Sequence, residues 1–494
     1  MLNRMNDKMT TLIVGLMAIE ELARRLFGKH HWDSINEIWE IEVDLLKFLA
    51  KVQKDLQKER HNYKKLRTRL RKQKGSDERL SKDERANLRE EIRFSMSRQQ
   101  HLKLLHSYAR QLGDALAWLV LLGDEKRIRS LGENAPIREM PLGYSLDAVV
   151  GVAKELLPHA GLPIIHDLTH CLRIGDITFS HPNHKEILTI EVKTRKLIKR
   201  EGNRATLEIE TYGVGDGMRF HSALAAISST ETGEYRGKTF HGVPIGLAKQ
   251  TKRQIERLHQ AKQIEQVESM GVLGKENEKK RLFVVAKDGS KHTHWDIVQE
   301  LCNTAQRVGW ACRVVDGAFL YLVTFASNDA HSFDGRIRLP EAHELTDCLK
   351  DSPFDLDPTN KKTWFNGTWK YLLEDPPLNV RPLFTYELPM DQILDILWRR
   401  LTITVFVDLP SVLQALKRAG MQTGKPPDGL PAPTSAVWKE WSSASGDHYY
   451  GGLSSFRPVL DRITLEFLSL DAAVDMAAAL LEAMYKAASE GTSD

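Results

Sequence analysis

The sequence contains little cysteine and no long apolar run. Four of its 494 residues are Cys, and no two of them form a CxxC pair. This excludes a disulfide scaffold and disfavours a structural zinc site. The apolar runs are far shorter than the roughly 20 residues that cross a bilayer, and the N-terminal stretch lacks the pattern of a signal peptide. We therefore expect a soluble, cytoplasmic protein with no membrane partner.

The signatures of several enzyme classes are also missing. No GxGxxG opens a helix after a strand, and no GxSxG is present. The stretch GEYRGKT at residues 233–239 is one residue short of a P-loop and follows no evident strand. These absences exclude an evident nucleotide motor and a serine hydrolase of the nucleophile-elbow type.

The charge of the chain is unevenly distributed. Its composition is ordinary for a globular protein, with 41% hydrophobic and 28% charged residues, and its net charge is +4. Residues 51–74, however, contain eleven Lys or Arg against two acids. Such a density of cations can neutralise several phosphates, so this segment is a candidate nucleic-acid contact.

Two long helices are predicted before residue 131. Proline is absent before Pro136, and residues 34–37 and 81–84 have the capping-box pattern that opens a helix. The apolar residues of the first helix recur at heptad spacing, so region 1–131 is predicted to be a helical hairpin or coiled-coil arm. The heptad positions are Leu45, Leu49, Val52, Leu56, Tyr63, Leu66 and Leu70, with Glu59 as the single polar exception.

The basic segment lies at the tip of this hairpin. Lys64, Lys65, Arg67 and Arg69 are the candidate nucleic-acid-binding residues. The same charges would also suit the solvated face of an ordinary coiled coil. A third interpretation is that the N-terminal helices bind a partner protein or a second copy of this chain.

The length predicts roughly three domains, and the remainder of the chain divides into three regions. We expect an α/β core at 144–290, an α/β extension of it at 291–328 and a C-terminal α+β accessory domain at 329–494. In the core we expect a helix at 145–157, strands at 163–167, 173–180 and 187–194, an irregular insertion at 202–242, a helix at 247–269 and a strand at 282–286. Farther on we expect a strand at 462–468 and a helix at 472–488.

Two of these strands are predicted to form an antiparallel hairpin. Both alternate between apolar and polar residues, and Pro182-Asn183 supplies turn chemistry between them. The expected register places Ile177 opposite Ile190 on an apolar face. Thr178 then faces Thr189, Asp176 faces Glu191 and Ile174 faces Lys193 on the other face.

The polar face of this hairpin carries chemistry. Directly opposed carboxylates are unfavourable on a sheet, so Asp176 and Glu191 would be stabilised by a divalent cation, which prefers oxygen ligands. A metal activates water and clamps phosphate oxygens, and the Lys193 ammonium could offset the charge that grows on a phosphorane. These three residues therefore suit phosphodiester hydrolysis.

The pattern of Asp176 followed by Glu191-Val192-Lys193 on the next strand resembles the PD-(D/E)XK nuclease superfamily, which includes restriction-endonuclease-like and RecB-like enzymes. The resemblance covers about 140 residues. It implies an αβββαβ core with a mixed sheet and a Mg²⁺ or Mn²⁺ cofactor. It also implies that Asp176, Glu191 and the Val192 carbonyl hold the metal, that Lys193 is catalytic, and that Glu155 of the preceding helix and Gln250 or Gln254 of the following helix contribute. Gly175 stands where the named pattern has Pro.

Several neighbouring features have more than one interpretation. The hairpin could be a surface sheet whose exposed carboxylates pair with Lys193. His166 and His170 are spaced like a zinc pair, but they lack the HExxH context, so they are either polar neighbours of the site or structural histidines. Lys252 and Arg253, on the predicted helix at 247–269, are further candidates for contact with a phosphate backbone.

The leading functional hypothesis is a metal-dependent nuclease that hydrolyses phosphodiester bonds, with DNA favoured over RNA. A restriction or anti-phage defence role follows by analogy alone. The first alternative is a catalytically inactive protein of nuclease fold that binds nucleic acid or acts as a scaffold through the arm. The second is an interaction protein whose helical hairpin binds a partner.

Overall fold

The computed structural model divides the chain into two compact units. The first comprises Met1–Lys262 with Pro382–Thr385, and the second comprises Gln263–Arg381 with Tyr386–Asp494. The residues that the structure describes are 2–28, 34–72, 81–132, 140, 143–173, 175–180, 187–201, 204–215, 233–235, 238–242, 270–273, 281–284, 292–326, 349, 364–368, 381–423, 437–442, 448–453 and 457–490.

Four helices open the first unit. They are α1 (Leu2–Phe27), α2 (Ile35–Lys72), α3 (Lys82–Val120) and α4 (Glu125–Gly132). The start of α3 is the predicted capping box, because the Ser81 hydroxyl accepts from the Glu84 N–H while the Glu84 carboxylate accepts from the Ser81 N–H. The predicted hairpin of α2 and α3 is confirmed, and α1 packs against both helices.

The hairpin seam is buried at one end and half-exposed at the other. Leu45 and Leu49 of α2 are fully buried, whereas Leu66 and Leu70 are only partly covered. The polar exception of the heptad, Glu59, is buried in the seam. It accepts a hydrogen bond from Asn62 and faces Arg98 of α3 at 3.9 Å. A carboxylate is tolerated there because it has a cation and a donor beside it.

Beyond these four helices, the described part of the first unit contains one long helix packed on a six-stranded sheet. Helix α5 (Tyr144–Ala160) buries Val149, Val152 and Leu156. The strands are β1 (Leu162–Ile165), β2 (Ile177–Ser180), β3 (Ile187–Glu201), β4 (Arg204–Gly215), β5 (Gly233–Tyr235) and β6 (Lys238–Gly242). They lie in the order β1-β2-β3-β4-β6-β5. The sheet is mixed, because β4 and β6 pair in parallel while every other neighbouring pair is antiparallel.

Two sequence expectations in this unit need correction. The insertion expected to be irregular contains β4, which pairs with β3 along most of its length and extends the sheet beyond the predicted hairpin. The second strand was expected at 173–180, but β2 begins only at Ile177. The helix expected at 247–269 lies outside the described residues.

The second unit combines three sheets with five helices in its described part. The two-stranded sheet pairs β7 (Met270–Leu273) with β8 (Arg281–Val284). The four-stranded sheet has the order β11-β12-β10-β9, from β9 (Trp310–Val315), β10 (Phe319–Phe325), β11 (Trp364–Thr368) and β12 (Leu401–Asp408). The third sheet holds β13 (Gln422–Thr423), β14 (Val437–Ser442) and β15 (His448–Leu453). The helices are α6 (Trp295–Val308), α7 (Met390–Leu397), α8 (Leu409–Arg418), α9 (Arg457–Glu466) and α10 (Leu470–Glu490).

The strand expected at 462–468 is wrong, because this stretch begins inside helix α9. Alternate apolar residues suggested a strand, but polar neighbours such as Arg462 and Thr464 are buried as well. A helix that is buried all round gives no clean amphipathic period, so its pattern can be mistaken for that of a strand.

The architecture therefore belongs to the broad class of mixed helix and sheet. In the first unit α5 is followed along the chain by β1, β2 and β3. The expected αβββαβ core stays a prediction, because the helix expected to follow these strands lies outside the described residues. The strand expected at 282–286 is present as β8, but it pairs only with β7 in a separate sheet of the second unit. Among the described cysteines, Cys171 and Cys302 are free and buried, whereas Cys312 is disulfide-bonded.

Candidate active site

The β2–β3 hairpin has the predicted register. Ile177 and Ile190 face each other and are fully buried, so the apolar face forms part of the core. The Cα partners are Ile177 with Ile190, Thr178 with Thr189, Phe179 with Leu188 and Ser180 with Ile187.

Asp176 lies at the point where the regular ladder of β2 ends. Its backbone N–H donates to the Ile190 carbonyl at 2.8 Å. Its half-buried carboxylate accepts from the backbone N–H of Val192 at 2.6 Å through Oδ2. The Asp176 side chain thus takes the place of a backbone acceptor and lies against the chain at Glu191-Val192. The side chains of Glu191 and Lys193 are outside the described part of the structure.

Gly175 explains the departure from the named superfamily pattern. Its φ is +88°, in the left-handed region. Proline is locked near φ −65° and cannot adopt this conformation, whereas glycine can without steric cost. The chain needs this turn to enter β2 at Asp176, so glycine suits the backbone here better than the proline of the pattern.

The polar face of the hairpin is covered, not exposed, beside Asp176. Thr178 and Thr189 are buried and their hydroxyl oxygens are 3.0 Å apart. The Nε2 atom of buried His166 lies 2.7 Å from the Thr178 hydroxyl, and the His166 N–H donates to the Asp176 carbonyl at 2.9 Å. This argues against a fully exposed surface sheet, and it places His166 next to Asp176 as a hydrogen-bonded neighbour.

The helical hairpin holds the segment that leads into Asp176. Asp114 of α3 accepts from the N–H groups of His170 and Cys171 through Oδ1, at 2.6 and 2.8 Å. Its Oδ2 atom lies 2.9 Å from Nδ1 of His170. The preceding residue, Gly113, has no room for a side chain because a Cβ atom would collide with the Leu168 carbonyl. Helix α3 therefore touches this loop backbone directly.

A second acid, Glu42 of α2, binds the end of strand β1. Its Oε1 atom accepts from the Ile165 N–H at 2.7 Å. Burial raises the pKa of Glu42 to about 8, although this hydrogen bond acts in the opposite direction. The other oxygen, Oε2, is buried with no hydrogen-bond partner among the residues that the structure describes. Glu42 is thus a buried carboxyl group that favours its protonated form.

Cationic groups surround the same junction. Burial, together with nearby Arg110, His170 and Arg60, lowers the pKa of His106 to about 3. Arg110 is itself buried, and its desolvation lowers its pKa, whereas Asp167 and Asp114 act to raise it. The junction between the helical hairpin and the loop therefore contains several Arg and His side chains, and the carboxylates of Asp114 and Asp167 partly balance the charge of Arg110.

Asp114 and Glu42 were not predicted as important from the sequence, although the position of Asp114 gives an indication. Asp114 is the lone acid between apolar residues near the end of α3, and an acid in such a place points to a buried partner. Glu42 gives no comparable signal, because its acceptor role depends on Ile165, far away in sequence. The register also pairs Lys193 with Glu210 of β4, an opposite-charge neighbour within the segment expected to be irregular.

The other predicted site residues have different outcomes. Glu155 is exposed on α5. Lys64, Lys65, Arg67 and Arg69 are all exposed at the tip of the hairpin, as a nucleic-acid contact requires. Gln250, Lys252, Arg253 and Gln254 lie outside the described residues.

A second polar cluster lies in the other unit. His294 is 2.7 Å from the Tyr321 hydroxyl through Nδ1 and 3.3 Å from Asp316 through Nε2. Asp316 also accepts from the Leu470 N–H at 2.7 Å. Tyr321 is fully buried, so its hydroxyl cannot reach a substrate. This cluster joins the β9–β10 turn to the starts of α6 and α10 and is a structural network.

The side chains in the described ranges contain no group of three His, Cys, Asp or Glu arranged to hold a metal ion. None of the described helices has both the length and the apolar character that crossing a membrane requires. Compared with protein-family models, curated proteins and solved structures, the chain matches none of them.

Proposed function

We propose that the first unit is a metal-dependent nuclease that hydrolyses phosphodiester bonds, with DNA preferred over RNA. The observation that carries this proposal is the position of Asp176. Its carboxylate lies against the backbone at Glu191-Val192, in the register that the sequence predicts for an Asp and an ExK strand. Restriction or anti-phage defence in the cytoplasm is the proposed setting. The disulfide at Cys312 is the one observation against a reducing compartment.

The donor set near Asp176 suits a hard cation. Backbone N–H and C=O groups of one antiparallel strand residue project from the same edge. Since the Val192 N–H points to Asp176, the Val192 carbonyl lies on that edge as well. Asp176, Glu191 and this carbonyl would supply oxygen ligands of the kind that Mg²⁺ or Mn²⁺ prefers. Such a metal, when bound, would polarise a phosphate oxygen and activate water.

The chain itself would position and balance charge. The hydrogen bond from Val192 fixes the orientation of the Asp176 carboxylate, and the bond from His166 to the Asp176 carbonyl fixes its backbone. Lys193, two residues after Glu191 on β3, would offset the negative charge that develops on the phosphoryl group. Pre-organisation of this kind avoids reorganisation during the reaction.

The alternative is a nuclease-fold protein that binds nucleic acid without cutting it. One observation favours it: the register gives Lys193 an opposite-charge neighbour, Glu210, on the adjacent strand, and such a pair can serve the sheet alone. In that case the helical hairpin of α2 and α3 would carry the function. It would bind nucleic acid, a partner protein or a second copy of the chain.

The decisive experiment incubates the full chain with linear, circular and single-stranded DNA and with RNA, with Mg²⁺, with Mn²⁺ or with EDTA. We expect metal-dependent cleavage that Asp176→Ala and Lys193→Ala each reduce at least a hundredfold without loss of folding. Asp83→Ala, an exposed acid at the start of α3, is the matched control and should cut normally.

Two results would contradict the proposal in different ways. Wild-type-like cleavage by the Asp176 or Lys193 variant removes these residues from the chemistry. Binding of nucleic acid by the wild-type chain, with no cleavage of any of the four substrates in either metal, establishes the binding-protein alternative.

A further inference from the structure

One side of helix α2 is buried in the first half of the helix and largely exposed in the second half. In the buried half, this side faces the rest of the unit: Glu42 binds the Ile165 N–H, and Gln53 donates to the Met140 carbonyl at 2.7 Å. Seven residues bring an α-helix back to nearly the same side. Arg60 and Arg67, seven and fourteen residues after Gln53, therefore continue the side that is buried against the sheet half of the unit.

Four cations occupy this side beyond Gln53. Arg60, Lys64, Arg67 and Arg71 are spaced by four, three and four residues, so they lie in one row, which we name the basic stripe. Arg60 is half-buried and the other three are exposed. Arg67 lies over the ring of Tyr63, 5.6 Å from its centroid, which orients its guanidinium. The stripe spans about 16 Å of helix axis.

The basic stripe leads to the candidate active site. At its inner end Arg60 is close enough to act on the His106 imidazole, which also has Arg110 and His170 around it. His170 belongs to the loop that Asp114 holds and that continues to Asp176. The inner end of the stripe, at Arg60, therefore lies near the junction of α3 with the loop that continues to Asp176.

The basic segment has cations on more than one side of α2, so its composition does not show which side would contact nucleic acid. Lys65 and Arg69 lie on roughly the opposite side, at helical positions that are turned away from Gln53 and Arg60. Arg69 there acts electrostatically on Glu84 at the start of α3. Glu59, one of the two acids of the basic segment, is directed to Asn62 and Arg98 in the seam.

We propose that the basic stripe is a phosphate track, along which the backbone of the substrate nucleic acid runs from the hairpin tip toward Arg60, beside the junction that holds the Asp176 loop. Each cation of the stripe can neutralise one phosphate, so the stripe matches at most four phosphates of the nucleic-acid backbone. That the track delivers a substrate to the active site rests on the proposed nuclease function, whereas the binding of nucleic acid to the stripe does not.

The test compares two double charge reversals that change the net charge equally. Lys64→Glu with Arg67→Glu disrupts the stripe, and Arg85→Glu with Arg89→Glu, at two exposed arginines near the start of α3, is the matched control. Binding of a fluorescent 20-mer, single-stranded or duplex, is measured in EDTA at several salt concentrations, so that cleavage plays no part. Circular dichroism confirms that both variants fold.

We expect the stripe variant to bind at least tenfold more weakly and to lose about 1.4 to 1.8 from the slope of log K against log salt, for two lost phosphate contacts. The control should lose less than threefold. Equal losses in both variants, or none in the stripe variant, would overturn the track. If the charge reversal fails to fold, the neutral pair Lys64→Gln with Arg67→Gln replaces it, with the same expected ranking against the control.

The outcome is separable from that of the proposed function. Asp176→Ala should keep full binding to the stripe while it loses cleavage. If the stripe binds nucleic acid but the chain never cleaves it, the phosphate track is supported and the nuclease function is contradicted. A chain that cuts normally with the stripe reversed keeps the nuclease and removes the track.

Discussion

The base and the tip of the helical hairpin contrast sharply although the same two helices form both. At the base, Leu49 is fully buried and Asp114 has hydrogen bonds to both carboxylate oxygens. At the tip, Leu66 is only partly covered and Lys64 is exposed. The heptad pattern continues through both regions, so the pattern alone does not decide which residues are buried.

The base and the tip of the helical hairpin differ in what packs against them. The base lies against the loop and strand at residues 162–173, which receive the carboxylates of Glu42 and Asp114. The tip extends beyond this cover, so its polar groups stay in water. One helix can thus anchor a loop at one end and present cations at the other, and three comparisons between base and tip test this division.

The largest difference is expected between two Asp→Ala changes. Asp114→Ala leaves the N–H groups of His170 and Cys171 and the His170 ring without their acceptor, so it should lower the free energy of unfolding by roughly 3–5 kcal/mol. Asp83→Ala at the tip should change it by no more than about 0.5 kcal/mol. Urea denaturation of both variants measures this. Equal losses would show that the base is no anchor.

A smaller contrast is expected between two Leu→Ala changes in the seam. Leu49→Ala should cost about 2–5 kcal/mol, because it removes a fully buried side chain and leaves a cavity. Leu66→Ala should cost about 1 kcal/mol, because water already reaches that site and the neighbours can close over it. If thermal and urea unfolding rank the two variants the other way, the tip is covered in solution, for example by a second copy of the chain.

The third contrast is a dependence on pH, and it concerns two glutamates whose pKa values shift in opposite directions. Burial raises the pKa of Glu42 to about 8 from an ordinary 4.5. The folded state then keeps a proton that the unfolded chain releases, so stability falls as the pH rises from about 4.5 to 8, by at most about 1.4 kcal/mol per pH unit. Glu42→Gln should remove this slope.

Glu84 at the tip is the opposite case. The hydrogen bond from the Ser81 N–H, with that from its hydroxyl, lowers the pKa of Glu84. Its contribution is therefore complete above pH 4.5 and is lost as the pH falls through the lowered pKa. Glu84→Gln should leave the decline between pH 5 and 8 untouched. Unfolding free energies at pH 4, 5, 6.5 and 8 for both variants decide the matter, and an unchanged slope in Glu42→Gln would place that carboxyl in water.

Local patterns predicted much of the fold around the site. The two long helices, the capping box at Ser81 and the pairing of Ile177 with Ile190 are all present. Each depends on residues within a few positions of one another, or on a strand alternation that fixes which residues can face each other. The same alternation led to Asp176, Glu191 and Lys193 as candidates.

Long-range partners were not predictable in this way. Glu42 and Asp114 acquire their roles from backbone N–H groups of β1 and of the following loop, more than fifty residues away. Strand β4 was missed because the stretch at 202–242 is rich in glycine, although β3 pairs with β4 along most of its length. Helix α9 has the sequence pattern of a strand because all of its sides are buried in the second unit.

The sequence by itself determined the helices α2 and α3 and which residues of the β2–β3 hairpin oppose one another, because periodicity and turn chemistry are local properties. It did not determine where β2 begins or where β3 ends. Only the tertiary structure decided that Asp176 accepts from the Val192 N–H, that His166 lies beside it, and that one side of α2 passes from buried anchor to basic stripe. These depend on which surfaces cover one another, and burial sets both the pKa of an acid and the exposure of a cation.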